Sequence, residues 1–178
     1  EQDSWLAEAI EKNISDDELQ PDDIIVINPD PLTTRSAVGS VRKILYEKNI
    51  QTHLAGVDTS PDVFFDDDGE SIAFTGIYRA KGNEAGMVYI INAQDCFFSW
   101  MGSATARNRL FTAITRSKAW VRVLGVGQSM NLLIEEFKKA KGNDFELEFR
   151  YPTADERKNL TIVNRDKDTG RIKDGSKK

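Results

Sequence analysis

The segment Tyr78-Arg79-Ala80-Lys81-Gly82-Asn83-Glu84 is polar, contains a glycine and stands directly before an apolar run at 87–91. The run Ile24-Ile25-Val26-Ile27 has the same apolar character. Short continuous apolar runs are typical of strands buried on both faces of a parallel sheet. Charged side chains beside such a strand are hard to explain by packing. They are typical of a cleft that handles phosphate groups.

A second segment of this kind is Ala113-Ile114-Thr115-Arg116-Ser117-Lys118, which places two basic side chains between an apolar helical pattern and another strand. Strand and helix patterns alternate along the chain, and this alternation predicts an α/β domain with a mainly parallel sheet. The predicted strands lie at 24–28, 50–54, 72–77, 87–92 and 120–125, and the predicted helices at 5–14, 34–49, 104–115 and 129–140.

The two segments together resemble the last two conserved motifs of superfamily 1 helicases of the UvrD/Rep type. The first is similar to T-x-H-x-x-K-G-x-E, and the second, 108–117, is similar to R-R-L-x-Y-V-A-x-T-R-A. Order, spacing and the strand after each motif agree over roughly residues 20–142. The resemblance implies a three-layer RecA-like domain of the P-loop NTPase type, the second motor domain of a DNA helicase or translocase. The large insertion that UvrD itself carries before K-G-x-E is absent, as in RecD-like members.

The resemblance also implies residues for an ATP site. Arg116 matches the arginine that reaches the γ-phosphate and stabilises charge in the transition state, and a planar guanidinium suits that task. Glu84 matches the residue that accepts hydrogen bonds from ribose hydroxyls. Gly82 allows close backbone approach or a positive φ. Lys81 either contacts phosphate or fixes the turn by bonding to backbone carbonyls.

Five further residues are candidates for contact with single-stranded DNA. Thr75, Tyr78 and Arg79 lie at the end of a predicted strand where family members touch single-stranded DNA. Tyr78 stands where the family has histidine, and Gly76 stands where it usually has threonine, unless Thr75 serves one position earlier. Tyr78 either stacks on a base or packs on the edge of the sheet. Asn28 and Arg35 follow the first strand near a predicted helix start, together with Thr34. A helix start favours phosphate, and ordinary capping explains these residues equally well.

Two groups of residues carry weaker hypotheses. Arg107 and Arg109 flank the second motif, where Asn108 departs from the family's paired arginines, and one of them is expected to pair with an acid in the core. Phe97, Phe98 and Trp100 form either a base-stacking platform or, as we favour, a buried aromatic cluster.

The motifs of the first motor domain are missing. The chain contains neither G-x-x-x-x-G-K-[ST] nor a magnesium-binding D-E-x-x strand. ATP and Mg²⁺ are therefore expected to be bound mainly by a first RecA-like domain upstream in a longer parent, and the isolated chain is not expected to hydrolyse ATP. The alternative is a catalytically inactive RecA-like module for protein interaction or regulation. Retention of Lys81, Glu84 and Arg116 together favours the motor.

Composition excludes several other classes. The single Cys96 allows no internal disulfide and suits a reducing cytoplasm, and the single His53 argues against a histidine metal site. The chain has no run of eighteen apolar residues, so no membrane span is predicted. Net charge is −5, yet residues 79–122 hold 7 basic and 2 acidic side chains, so the positive charge lies where the motifs lie.

The chain is predicted to divide into a domain at 1–152 and a tail at 153–178. Of the 26 tail residues 13 are charged and 5 are hydrophobic, too few apolar groups to build a core. The tail is therefore expected to be largely disordered, either as a solvated terminus or as a basic contact to phosphates.

Overall fold

A computed structural model describes residues 1–57, 71–96, 103–142 and 150–159. Its helices are α1 (Gln2–Ser15), α2 (Thr34–Ala37), α3 (Gly39–Glu47), α4 (Ile77–Ala80), α5 (Ser103–Ile114), α6 (Gln128–Gly142) and α7 (Ala154–Asn159). Its strands are β1 (Ile24–Asn28), β2 (Thr52–Leu54), β3 (Ile72–Gly76), β4 (Ala85–Ile90) and β5 (Ser117–Val123). Two short 3₁₀ turns, Pro21–Asp23 and Ala93–Cys96, precede β1 and follow β4.

The five strands form one sheet in the order β2-β3-β1-β4-β5, and every pair is parallel. In the register of β1, Ile27 lies between Thr75 of β3 and Ile90 of β4. Because all strands run the same way, their carboxyl ends share one edge of the sheet and their amino ends share the other. The predicted α/β class with a parallel sheet is confirmed.

Helices cover both faces of the sheet, which makes three layers. On one face α1 and α3 pack on alternate residues of the strands, including Val26, Phe74 and Tyr89. On the other face α4, α5 and α6 pack on the intervening residues, including Ile25 and Val88. All five residues of β1 are buried. This explains its uninterrupted apolar run, since a strand covered on both faces has no solvent-facing position.

Several predicted boundaries were wrong. The predicted helix at 34–49 is two helices separated at Val38. β5 begins at Ser117, three residues before the apolar run that predicted it. β5 is an edge strand of the described sheet, and its residues 118–122 are exposed. Polar residues therefore belong to this strand, and an apolar run marks only part of it.

Within the predicted tail, residues 154–159 form the short helix α7. Thr153 and Glu156 bond reciprocally at its start, and Arg150 pairs with Glu156. The boundary at 152 and the disorder expected for most of the tail stay predictions. Other predicted features lie outside the described residues: a small strand at Phe64-Phe65, a late strand at 145–149, the aromatic residues Phe97, Phe98 and Trp100, and the tail beyond 159.

Candidate nucleotide and nucleic-acid sites

The candidate site residues divide between the two edges of the sheet. Residues before β4 and β5 lie at the amino edge, which the strands enter, and residues after β1 and β3 lie at the carboxyl edge. The first group is Gly82, Glu84 and Arg116, and the second is Asn28, Arg35, Thr75, Tyr78 and Arg79. The structure thus separates the residues predicted for nucleotide from those predicted for a nucleic acid.

At the amino edge the two motifs lie side by side. The backbone N–H of Ala85 donates to the carbonyl of Arg116 at 3.0 Å, and Ala85 pairs in register with Ser117. This bond joins the residue after Glu84 to Arg116. Glu84 itself is exposed. The shared edge predicted from the two motifs is therefore present.

Arg116 lies at the end of α5 and folds back along that helix. Its Nε donates to the carbonyl of Thr112 at 3.2 Å, and its Nη2 donates to Oγ1 of Thr115 at 3.3 Å. Carbonyls in the last turn of a helix lack partners within the helix, so a guanidinium is well placed there. Within the described ranges no carboxylate pairs with Arg116. The side chain is only partly buried, so its donors can be redirected to an incoming anion.

The turn between α4 and β4 is held by a residue that the sequence analysis did not single out. Nδ2 of Asn83 donates to the carbonyl of Arg79 at 3.0 Å, and the N–H of Asn83 donates to the carbonyl of Ala80 at 3.0 Å. Gly82 has a φ of +96°, a backbone conformation that favours glycine. Lys81 is exposed and makes no hydrogen bond within the described ranges, so Asn83 is the side chain that closes this turn.

The carboxyl edge carries a cleft of about 300 Å³. Arg35 lines it from α2, Tyr78 and Arg79 line it from α4, and Ala55 and Val57 line it from the loop after β2. Two guanidinium groups and an aromatic ring therefore meet at one cleft. This combination suits a single-stranded nucleic acid, which presents both phosphates and exposed bases.

Tyr78 presents its ring to solvent. It is 63% exposed, so most of the residue is open to solvent. The guanidinium of Arg109, on α5, lies 5.9 Å from the centre of the Tyr78 ring, and its Nη2 lies 3.5 Å from the hydroxyl. Arg109 thereby contacts the ring at a distance typical of a cation–π pair.

Asn28 and Thr75 are fully buried. Nδ2 of Asn28 donates to the carbonyl of Asp30 at 2.6 Å and to Oγ1 of Thr33 at 3.1 Å, while its Oδ1 accepts from Asn92 at 3.1 Å. These bonds fix the turn after β1. The two side chains build the carboxyl edge and offer no surface to a ligand in this conformation.

Gly76 occupies the position at which the helicase motif usually has threonine. A Cβ placed on Gly76 would lie 3.0 Å from Oγ1 of Thr34. That hydroxyl donates to the carbonyl of Asp30 at 2.9 Å and is held in place. A side chain at 76 would therefore make an unusually tight contact with Thr34, which would have to shift by a few tenths of an ångström.

The acid partner expected for Arg107 or Arg109 is Glu136. Arg107 makes a two-point ion pair with this residue of α6, with Nη2 at 2.6 Å from Oε1. The side chains of Arg107 and Glu136 are 31% and 48% exposed. This pair is therefore at the surface and not in the core.

Cys96 is a buried thiol at the end of the turn that follows β4. Burial, reinforced by the charge of Asp95, raises its pKa to about 11. Across the described ranges no group of His, Cys, Asp and Glu side chains is arranged to hold a metal ion. No helix among those residues is long and apolar enough to cross a membrane.

The comparisons with known proteins agree with this architecture. The C-terminal domain of a possible DNA helicase from Lactobacillus plantarum WCFS1 has a TM-score of 0.51 to this chain at 16% sequence identity, over 71% of this chain and 68% of that one. The chain thus shares the fold of that domain. Residues 71–124 match the family model of the UvrD-like helicase C-terminal domain, a span that contains both motifs. The resemblance to UvrD/Rep-like helicases is confirmed. No curated protein sequence matches the chain.

Proposed function

We propose that this chain is the C-terminal motor domain of an ATP-dependent superfamily 1 DNA helicase or translocase. In this proposal it completes the ATP site of a first RecA-like domain and contacts single-stranded DNA. The observation that carries the proposal is the hydrogen bond between Ala85 and Arg116. This bond places Arg116 and Glu84 at one edge, while two arginines line the cleft at the opposite edge.

At the amino edge the chain would supply two groups. Arg116 would leave the last turn of α5 and direct its guanidinium to the γ-phosphate, where charge develops as the bond to the leaving oxygen breaks. Glu84 would accept hydrogen bonds from the ribose. ATP and its Mg²⁺ are placed mainly on the first domain, which would provide the phosphate loop, the metal ligands and the position of the attacking water.

At the carboxyl edge of the sheet the chain would bind the single-stranded DNA. Arg79 and Arg35 are suited to phosphate oxygens, because a guanidinium stays charged and presents several donors. The exposed ring of Tyr78 is suited to stacking on a base, a contact that every base allows. Contacts to the DNA backbone and to the faces of the bases favour binding without a strong preference for DNA sequence.

The test separates the motor from the alternative, an inactive interaction module. The purified chain should hydrolyse no ATP above background, with or without oligothymidylate, since it has no phosphate loop. A protein that joins this chain to its first RecA-like domain should hydrolyse ATP and be stimulated by the single strand. Turnover by the chain alone would reveal a complete nucleotide site within these residues. A two-domain protein without ATPase activity would favour the inactive module.

A further inference from the structure

The guanidinium of Arg79 rests on the loop that follows β2. Its Nη1 donates to the carbonyl of Ala55 at 2.8 Å. The next residue is Gly56, whose φ is +71°. A Cβ placed on Gly56 would lie 2.6 Å from both Cζ and Nη1 of Arg79 and 2.9 Å from Nε. Arg79 therefore occupies the space that any side chain at 56 would fill.

We propose that Gly56 is a positioning residue that fixes the Arg79 guanidinium at the wall of the carboxyl-edge cleft for contact with the phosphates of a single strand. This inference rests on the proposed function of that cleft. The carbonyl of Ala55 takes one donor of a group that has five. The other donors make no hydrogen bond within the described ranges, and Arg79 lines the cleft. An arginine held by one backbone contact loses less conformational freedom when it binds phosphate.

Loop 55–57 lies outside both helicase motifs and outside the matched residues 71–124. Its role comes from the topology, because β2 pairs with β3 and the two carboxyl ends meet. The loop after β2 is thereby brought next to α4, which follows β3 and carries Arg79.

A side chain at 56 should affect binding more than folding. The atoms that it would meet belong to the far end of a flexible side chain, so Arg79 can swing away and relieve the collision. What remains is the strain of a positive φ, which alanine tolerates less well than glycine. Gly127 provides a matched control: its φ is +79°, and nothing lies within 4 Å of a Cβ placed there.

The experiment measures binding of fluorescein-labelled oligothymidylate to the 178-residue chain by anisotropy at several salt concentrations. Arg79→Ala should weaken binding about tenfold, as expected for loss of a charge-assisted hydrogen bond. Gly56→Ala should weaken it by the same factor, and the double variant should be no weaker than either single one. Each of these variants should also lower the slope of log Kd against log salt by about one, the change expected when one phosphate contact is lost. Gly127→Ala should bind as the wild type does.

The outcomes separate this inference from the function on which it rests. If the wild type does not bind, or Arg79→Ala binds equally well, the proposed strand contact is wrong and the inference falls with it. If Arg79→Ala weakens binding and Gly56→Ala does not, or if the two effects add, the positioning role alone is overturned. Should Gly56→Ala fail to fold, Gly56→Asn replaces it, because asparagine tolerates a positive φ and still carries the colliding Cβ.

Discussion

Tyr89→Phe tests the contact that anchors α1 to the sheet. Tyr89 is fully buried in β4, and its hydroxyl donates to Oδ1 of Asn13 at 2.6 Å. Asn13 is itself buried, and its Nδ2 is engaged with Asp17 at 2.7 Å. Removing the hydroxyl leaves a buried acceptor without this partner, which costs about 1–2 kcal/mol of the free energy of unfolding. For a chain of this size the melting temperature should fall by about 2–8 °C.

The same hydroxyl makes the difference in the free energy of unfolding between the variant and the wild type depend on pH. Burial raises the pKa of Tyr89 from 10.0 to about 12, against the opposing charge of Arg122. Below pH 10 the phenol is protonated in both folded and unfolded chains, so its stabilising contribution is complete. Between pH 10 and 12 the unfolded chain ionises first and that contribution is lost. The stability difference between wild type and Tyr89→Phe should therefore shrink as pH rises through this window.

Urea unfolding at pH 8, 10 and 11 measures both effects, and Tyr46→Phe serves as the control. Tyr46 is a tyrosine on α3 that is 70% exposed, and loss of its hydroxyl should change stability little. A Tyr89→Phe variant as stable as the wild type at pH 8 would refute the argument about the buried acceptor. A difference that stays constant from pH 8 to pH 11 would refute the argument from ionisation.

Two further predictions concern the carboxyl side of the sheet. Cys96, whose pKa burial raises to about 11, should react with an aromatic disulfide reagent at pH 8 only when urea unfolds the chain; rapid labelling of the folded chain would contradict this. Gly76→Thr, which restores the usual motif residue, should lower the free energy of unfolding of the wild-type protein. In a Thr34→Ala background the same substitution should lower it by about 1 kcal/mol less, because the close contact with Oγ1 of Thr34 is then gone. Additive effects of the two substitutions would contradict the packing explanation of Gly76.

Much of the architecture follows from local patterns in the sequence. The run at Ile24–Asn28 is apolar without interruption because both faces of β1 are covered, and it predicts a buried parallel strand correctly. Edge strand β5 shows the limit of the same reasoning. Its polar first residues are tolerated because they face solvent, so its start could not be read from hydrophobicity.

The candidate sites were predictable to a different degree. Both motifs fall before strands that turn out to be neighbours, so a shared edge for Glu84 and Arg116 could be predicted. Contacts between distant residues could not: Tyr89 bonds to Asn13 across 76 positions, and Gln2 to Asn92 across 90. No local pattern encodes these pairs, because the topology of the sheet brings them together. The loop around Gly56 was also missed, since its role depends on the neighbouring strand.

The central claim is that Arg116 completes an ATP site shared with a first RecA-like domain. The most direct test is kcat for single-strand-stimulated ATP hydrolysis by the two-domain protein. Arg116→Ala should lower kcat by roughly 100-fold or more with a smaller change in KM, since the guanidinium acts on charge that develops in the transition state. Arg116→Lys should restore little, because an ammonium lacks the planar fork. Arg107→Ala removes an arginine of α5 that pairs with Glu136 of α6, and it should keep kcat near the wild-type value. An Arg116→Ala protein that hydrolyses ATP at the wild-type rate would contradict the claim.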